Sequence, residues 1–189
     1  MKILKFGGTS VGLPSSIKKL VSLINGNQSK IIVLSAISGT TNELVRFSNL
    51  INQNEYQSAQ ECSQNLKQQY IELIDELFSS NEFKNKGEEI INHHFSFIDS
   101  YNFKALNLFK QKTILAQGEI LSTTLFQHYL TEYKIESVLL SVLNFMRIDE
   151  NVEPKRAYIE EMLSKELSQV MSSQYSLREL VTAVYSKTQ

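Results

Sequence analysis

The sequence has 189 residues, of which 42% are hydrophobic and 21% are charged, and its formal net charge is −1. These values exclude a disordered chain and a small disulfide-stabilised protein, and the length suits one α/β domain. The single cysteine, Cys62, has no partner for an internal disulfide, which favours a reducing compartment such as the cytoplasm. We expect no membrane partner, because no apolar run approaches the roughly 20 residues of a membrane span and no signal peptide is recognisable.

Glycine and positive charge are both concentrated near the start of the sequence. Five of the seven glycines lie within the first 39 residues, and residues 1–42 contain five lysines and no acidic residue. Such a segment suits a small anion such as phosphate. For Lys18, Lys19 and Lys30 the simpler interpretation is a solvated surface charge. Scattered lysines with few aromatic neighbours do not indicate a nucleic acid partner.

The first 35 residues predict a strand, a helix and a second strand. Apolar runs at residues 1–6 and 31–34 are typical of buried strands, and Pro14 marks the start of a helix that Asn25 and Gly26 end. Because β-α-β units are nearly always right-handed, the two strands should be parallel. We therefore expect an α/β fold.

The middle of the sequence predicts helices, because apolar residues recur there every three or four positions. One helix should begin at Thr41 or Asn42, and further helices are expected over residues 58–77, 88–100 and 106–130. A third strand is predicted over residues 134–140, and Pro154 should open a last helix. No repeat, low-complexity tract or linker divides the chain.

The loop after the first strand carries the clearest chemical signal. It contains Gly7 and Gly8, which let the backbone point N–H groups at an anion, and Thr9 and Ser10, which add hydroxyl groups. Lys5 would supply a positive charge beside it. The loop is neither a Walker A loop nor a Gly-x-Gly-x-x-Gly turn. From this pattern alone, an anion site and an ordinary tight turn remain equally open.

Two further stretches are candidates for a site. Ser35 and Thr41 lie in a hydroxyl-rich loop after the second strand, which should face the first loop because parallel strands end at one edge of a sheet; the alternative is that they only cap and turn. In the predicted long helix Gly118 costs about 1 kcal/mol relative to alanine, which indicates close packing or a site. Glu119 beside it would hold an ammonium group, unless it is a surface carboxylate. The three histidines lack metal-ligand spacing.

Four stretches, taken together and in this order, resemble the aspartate kinase (aspartokinase) family of amino acid kinases. They are Lys5-Phe6-Gly7-Gly8-Thr9-Ser10-Val11, Val33-Leu34-Ser35-Ala36 with Gly39-Thr40-Thr41-Asn42, Gln117-Gly118-Glu119-Ile120-Leu121-Ser122, and Phe145-Met146-Arg147-Ile148-Asp149. The resemblance covers about residues 1–165. It implies a three-layer α/β/α sandwich with a mainly parallel sheet, the carbamate kinase-like fold, in an incomplete form.

The resemblance also implies an activity and a set of site residues. The activity is the ATP-dependent phosphorylation of the side-chain carboxylate of L-aspartate to 4-phospho-L-aspartate, at the head of lysine, threonine and methionine synthesis. ATP and Mg²⁺ are the implied cofactors, and a homo-oligomer is expected. Lys5 is the implied catalytic residue, and Glu119 would hold the amino group of aspartate. The other implied site residues bind phosphate (Gly7, Gly8, Thr9 and Ser10) or aspartate (Ser35 and Thr41), and none is a metal ligand.

The chain also departs from the family. Asn144 stands where the family has an acidic residue, and neither the Gly-Arg-Gly-Gly-Ser-Asp loop nor the Trp-Thr-Asp segment that hold nucleotide and substrate occurs. We therefore divide the chain into a substrate-binding part of the kinase domain, residues 1–170, and a tail, residues 171–189, which does not match the strand expected next. We expect a truncated enzyme of weak or no activity. The alternative is a non-catalytic remnant that binds aspartate or an anion, or an assembly partner.

Overall fold

A computed structural model describes residues 2–24, 29–149, 153–172 and 179–183 of the protein. The strands among these residues are β1 (Lys2–Phe6), β2 (Lys30–Leu34), β3 (Ser137–Leu140) and β4 (Glu179–Ala183). They form one parallel sheet in the order β1-β2-β4-β3, and the last residue of β1 is aligned with the last residue of β2. The loops that follow β1 and β2 therefore start side by side.

Helices make up most of the described chain. They are α1 (Pro14–Ile24), α2 (Thr40–Asn52), α3 (Tyr56–Leu77), α4 (Asn81–Asp99), α5 (Leu108–Glu132), α6 (Val142–Phe145) and α7 (Arg156–Ser172), with one turn of 3₁₀-helix at Gly8–Ser10. The predicted unit of β1, α1 and β2 is confirmed, whereas its expected stop at Asn25 and Gly26 lies outside the described residues. Within those residues, no helix is both long enough and apolar enough to cross a membrane.

The main hydrophobic core lies between one face of the sheet and helices α1 to α5. Alternate residues of β2 point to opposite faces, and Ile32 and Leu34 enter this core with no exposed surface. Phe47 of α2, Phe95 of α4 and Tyr129 of α5 fill it from the helical side. Burial of each such side chain contributes about 1.5–3 kcal/mol. The residues that follow β2 are thereby held against a rigid helical layer.

A smaller cluster covers the opposite face of the sheet. Ile31 of β2 packs there with Leu140 at the end of β3 and with Phe145 of α6. Apolar residues of α7, including Met162 and Leu167, complete this cluster. Helices therefore lie on both faces of the sheet, which confirms the predicted three-layer α/β/α arrangement and its parallel strands.

Several helices begin a few residues away from their predicted starts, and for α4 and α7 the cause is local. α4 starts several residues early because Ser80 caps it, its side-chain oxygen accepting a hydrogen bond from the Phe83 N–H over 3.3 Å. α7 starts after Pro154 and not at it, since Pro154 is paired with Ile148 in an isolated antiparallel bridge. Capping and pairing partners thus moved the boundaries that apolar periodicity had indicated.

The tail contributes a central strand that the sequence did not indicate. β4 lies between β2 and β3 and pairs in parallel with both. Its register aligns Glu179 with Lys30 on one side and with Ser137 on the other. Residues 179–183 therefore belong to the same sheet as the rest of the chain, although their sequence does not resemble the family's strand at this place.

Lys30 is buried, which corrects the prediction of a solvated surface lysine. Lys30 is only 8% exposed, and its ammonium group donates a hydrogen bond to the carbonyl of Ile24, the last residue of α1. A cation at a helix C-terminus is favourable because the last carbonyl groups carry partial negative charge. Lys18 and Lys19 are exposed as predicted. Lys30 therefore stabilises the fold and is not free to hold a ligand.

Candidate functional site

The loops after β1 and β2 touch each other. A Cβ atom at Gly8 would lie 2.8 Å from the carbonyl oxygen of Ala36 and 3.3 Å from the nitrogen of Ser38. At their origin the loops are joined by the N–H of Ser35, which donates to the carbonyl of Phe6 over 3.2 Å. The prediction that two polar loops face each other at one edge of the sheet is confirmed.

The first loop includes adjacent backbone donors that have no partner among the described residues. In its 3₁₀ turn, the N–H of Ser10 donates to the Gly7 carbonyl over 2.9 Å and the N–H of Val11 donates to the Gly8 carbonyl over 3.3 Å. The N–H groups of Gly8 and Thr9 make no such bond within the described residues. Adjacent free N–H groups form a concave donor pair that suits an anion.

Lys5 lies on the strand that leads into this loop. It lies two residues before Gly7 on β1, is aligned with Val33 of β2, and is exposed. Among the residues that the structure describes, no acidic side chain forms an ion pair with it. The exposed ammonium group and the free N–H groups together make this edge of the sheet attractive to a phosphate.

Helix α5 holds the second loop from the side. The hydroxyl of Ser122 donates to the carbonyl of Ser35 over 2.8 Å. A Cβ atom at Gly118 would lie 3.0 Å from Cγ2 of Thr40 and 3.1 Å from Cβ of Ala36. The close packing expected at Gly118 is therefore confirmed, because the helix can approach the loop this closely only without a side chain.

Glu119 is only 4% exposed, which rules out the alternative of a surface carboxylate. Burial raises the pKa of its carboxyl from 4.5 to about 7. No ion pair involves it within the described ranges. Since a buried carboxylate without a cation is costly, this position suits a ligand that brings its own positive charge.

The pH dependence of stability tests the burial of Glu119. Its folded pKa lies above its unfolded value, so the folded chain binds this proton more tightly and loses stability as the pH rises from about 4.5 to about 7. In urea unfolding at pH 8, we expect Glu119→Gln to exceed the wild type in stability by at least about 1 kcal/mol. Near pH 4 the two should be similar. The exposed Glu72→Gln is the control, and an unchanged pH profile in Glu119→Gln would contradict the prediction.

Thr41 is separate from the other predicted aspartate ligands. It is half-buried on the first turn of α2 and lines a surface cavity of about 520 Å³ along that helix, together with Asn42 and Arg46. Among the described residues, no hydrogen bond joins Thr41 to Ser35 or Glu119. The structure thus brings the glycine loop and the Ser35 loop together, with Lys5 on the strand before the glycine loop and Glu119 one helical turn before Ser122. Thr41 lies instead on the cavity along α2.

Three residues near the site received no role from the sequence. Ser122 holds the second loop, and Thr40 forms a buried hydrogen bond of 2.8 Å with the phenol oxygen of Tyr70 in α3. Ser122 belongs to one of the quoted motifs, which is a usable signal. Tyr70 stood out only as one of the apolar positions of a helix, so its polar contact could not be foreseen.

Among the described residues, the other polar groups form neither a metal site nor a reactive thiol. Within the described ranges, no three histidine, cysteine, aspartate or glutamate side chains come close enough to share a metal ion. Burial, aided by a hydrogen bond to Glu43, raises the pKa of the Cys62 thiol from 9.0 to about 11, so this thiol is unreactive. Asn144 donates to the carboxylate of Glu166 over 3.2 Å.

Comparison with known proteins agrees with the observed fold. The model of the amino acid kinase family matches residues 1–176. Two crystal structures of E. coli aspartokinase III are similar in fold: the T-state complex with lysine and aspartate has 21% sequence identity and a TM-score of 0.78, and the R-state complex with aspartate and ADP has 22% and 0.76. No curated protein matches the sequence.

The alignments with the solved structures cover nearly all of this chain but less than half of the E. coli chain. Each covers 97% of this chain but 40% of the E. coli chain. The chain therefore spans about two fifths of the length of those proteins. At this level of identity the solved structures establish a shared fold, and the fold here is an incomplete form of theirs.

Proposed function

The chain belongs to the amino acid kinase family, and from that premise we propose that it is the substrate-binding part of an aspartate kinase. The reaction is transfer of the terminal phosphoryl group of ATP to the side-chain carboxylate of L-aspartate, the first step toward lysine, threonine and methionine. The observation that carries the proposal is the meeting of the Gly8 loop and the Ser35 loop beside Lys5 and the buried Glu119. The aspartate in both E. coli aspartokinase III complexes supports it.

Each site residue has a separate task in this proposal. Phosphoryl transfer depends on positioning and charge stabilisation more than on covalent chemistry. Lys5 neutralises the charge on the phosphoryl group as it moves, and the glycine loop donates its free N–H groups, with the hydroxyl groups of Thr9 and Ser10, to phosphate oxygens. Ser35 and Thr41 orient the aspartate, and ionised Glu119 holds its ammonium group. The raised pKa of Glu119 fits this task, because a bound ammonium group would return the carboxyl to its charged form.

The cofactors fit the described residues unequally. Free N–H groups and Lys5 suit the phosphate end of ATP, whose terminal phosphoryl group is the one transferred. A bound Mg²⁺ would neutralise phosphate charge, but the described residues provide no acidic cluster to hold it. We therefore propose that nucleotide and metal are held largely by a further part of the kinase domain, and that the 189 residues alone turn over ATP weakly or not at all.

The proposal extends to the location and assembly of the protein. A cytoplasmic enzyme accords with the single, buried cysteine, and assembly with further copies accords with the family. Residues 1–170 would form the substrate-binding part, and β4 of the tail contributes a central strand to its sheet.

Calorimetric titration of the purified chain with L-aspartate tests the binding part of the proposal. Succinate is the matched ligand, since it has both carboxylates and no amino group. We expect L-aspartate to bind at least about tenfold more tightly than succinate, because a hydrogen bond to a charged group contributes about 1.5–3 kcal/mol. Affinity should rise between pH 6 and pH 8 as Glu119 ionises. Absence of aspartate binding would favour the non-catalytic assembly partner.

A further inference from the structure

A buried hydrogen bond lies directly behind the predicted aspartate-binding loop. The hydroxyl of Thr40 and the phenol oxygen of Tyr70 are 2.8 Å apart, and each residue is only 2% exposed. Thr40 opens α2 and is the residue immediately before Thr41. A polar pair in such surroundings cannot exchange its partner for water, so both hydroxyl groups depend on this contact.

The first turn of α2 has one further side-chain contact with α3: the carboxylate of Glu43 accepts a hydrogen bond from the Cys62 thiol over 3.3 Å. Gly39, at the N-cap, is left-handed with φ of 89° and forms no side-chain capping hydrogen bond. Two backbone bonds also hold the turn: the N–H of Thr40 donates to the Ile37 carbonyl over 3.0 Å, and the N–H of Glu43 donates to the Gly39 carbonyl over 3.1 Å. The Tyr70 hydroxyl therefore ties the side chain of the first residue of α2 to α3, at a turn that no capping side chain holds.

Tyr70 also lies close to the helix that carries Glu119. Burial, together with the charge of Glu119, raises the pKa of the Tyr70 phenol, whereas the hydrogen bond to Thr40 opposes this rise. On its other side, Thr40 contacts α5 at Gly118, where a Cβ atom would lie 3.0 Å from Cγ2 of Thr40. Thr40 is thus wedged between α3 and α5, with the proposed substrate loop on one end and the buried carboxylate nearby.

We propose that Tyr70 is a positioning residue for the aspartate site: its hydroxyl holds Thr40 and thereby sets the orientation of residues 37–41 relative to Glu119. The inference rests on the proposed function, because the loop that Tyr70 positions is the one assigned to aspartate. Tyr70 itself does not touch the substrate. A cavity of about 220 Å³ beside Thr40 and Tyr70 gives the turn room to shift when the bond is lost.

The test compares two conservative variants that each remove one buried phenol hydroxyl. Tyr70→Phe removes the bond to Thr40 and keeps the ring. Tyr129→Phe is the matched control, since Tyr129 is 1% exposed, its ring packs against Tyr133 with centroids 4.7 Å apart, and it lies on α5 about 15 Å from Glu119 at 1.5 Å per residue. A purely structural contribution of a phenol hydroxyl would affect both variants alike.

Hydrogen exchange of the 189-residue chain is the first readout, because it needs no ligand. We expect the amides of Thr40 and Glu43 to exchange at least about tenfold faster in Tyr70→Phe, as local opening becomes easier, and to keep the wild-type rate in Tyr129→Phe. Similar exchange in both variants would overturn the inference. If the wild-type chain binds no L-aspartate, the proposed function fails, while this readout still decides the role of Tyr70 in holding the turn.

L-aspartate binding is the second readout. We expect about tenfold weaker binding in Tyr70→Phe and no more than twofold change in Tyr129→Phe. Thr40→Val should weaken aspartate binding by the same factor. The double variant should bind aspartate no more weakly than Tyr70→Phe alone, since both substitutions remove the same hydrogen bond. Additive losses, or unchanged affinity in Tyr70→Phe, would contradict the proposal. Should Tyr70→Phe fail to fold, Thr40→Ser, which keeps the hydroxyl, should bind aspartate at least about fivefold more tightly than Thr40→Val.

Discussion

Replacing Lys5 with alanine should lower the rate of aspartate phosphorylation by about 10² to 10³, the loss typical of one preorganised charge-stabilising donor. The relevant protein is a longer chain that also carries the nucleotide-binding half of the kinase domain. Lys5 is exposed, has no ionic partner among the described residues, and lies two residues before the glycine loop. Its charge is required mostly where phosphate charge is redistributed, so kcat should fall far more than the affinity for aspartate.

Lys2 provides the matched control for this substitution. It lies on the same strand with an exposed side chain, but at the end of β1 away from the loop. Lys2→Ala should therefore leave both kcat and aspartate affinity unchanged. A parallel loss of kcat and affinity in Lys5→Ala would point to a structural role of Lys5 and would contradict its assignment as the catalytic residue.

The second large effect is expected at Gly8, where the two loops meet. A Cβ atom at this position would lie 2.8 Å from the carbonyl oxygen of Ala36. Because that oxygen is a backbone atom, it cannot move aside as a flexible side chain would. Gly8→Ala must therefore push the loops apart, at a cost of about 1–3 kcal/mol. Because the displaced backbone includes the free N–H groups and the start of the Ser35 loop, aspartate binding should be lost with it.

Gly7→Ala is the comparison that isolates this steric effect. Gly7 has φ of −81°, which any residue adopts, and a Cβ atom there would meet nothing within 4 Å. The two variants thus place the same methyl group on adjacent residues. Urea unfolding and aspartate titration should show a near-wild-type Gly7→Ala and a weakened Gly8→Ala. Equal behaviour of the two variants would mean that the loops do not pack as described.

Local sequence features were sufficient to predict the frame of the site. The apolar runs of β1 and β2 and the periodic helix between them specify a parallel unit, and a parallel unit brings both following loops to one edge. The cost of a glycine inside a helix indicated that something approaches Gly118, and Thr40 and Ala36 do so. Each of these inferences uses residues that are close in sequence.

The contacts that depend on distant residues could not be predicted. The partner of Tyr70 is 30 positions away and the partner of Ser122 is 87 positions away, so neither bond has a local pattern. Lys30 was predicted as a surface lysine. Its partner Ile24 is near in sequence, but no local pattern indicates that the lysine side chain folds back onto the end of α1. The strand β4 was not predicted either, because it pairs with β2 and β3, which are far from it in sequence.

The most direct measurement is trapping of the acyl phosphate with hydroxylamine, in the presence of ATP, in parallel for the 189-residue chain and for a longer chain that adds the nucleotide-binding half. The account predicts ATP-dependent hydroxamate from L-aspartate with the longer chain, little or none with the 189 residues, and none from L-glutamate with either. Product from L-glutamate in place of L-aspartate would contradict the substrate. Product from the 189 residues at the rate of the longer chain would contradict the conclusion that its site is incomplete.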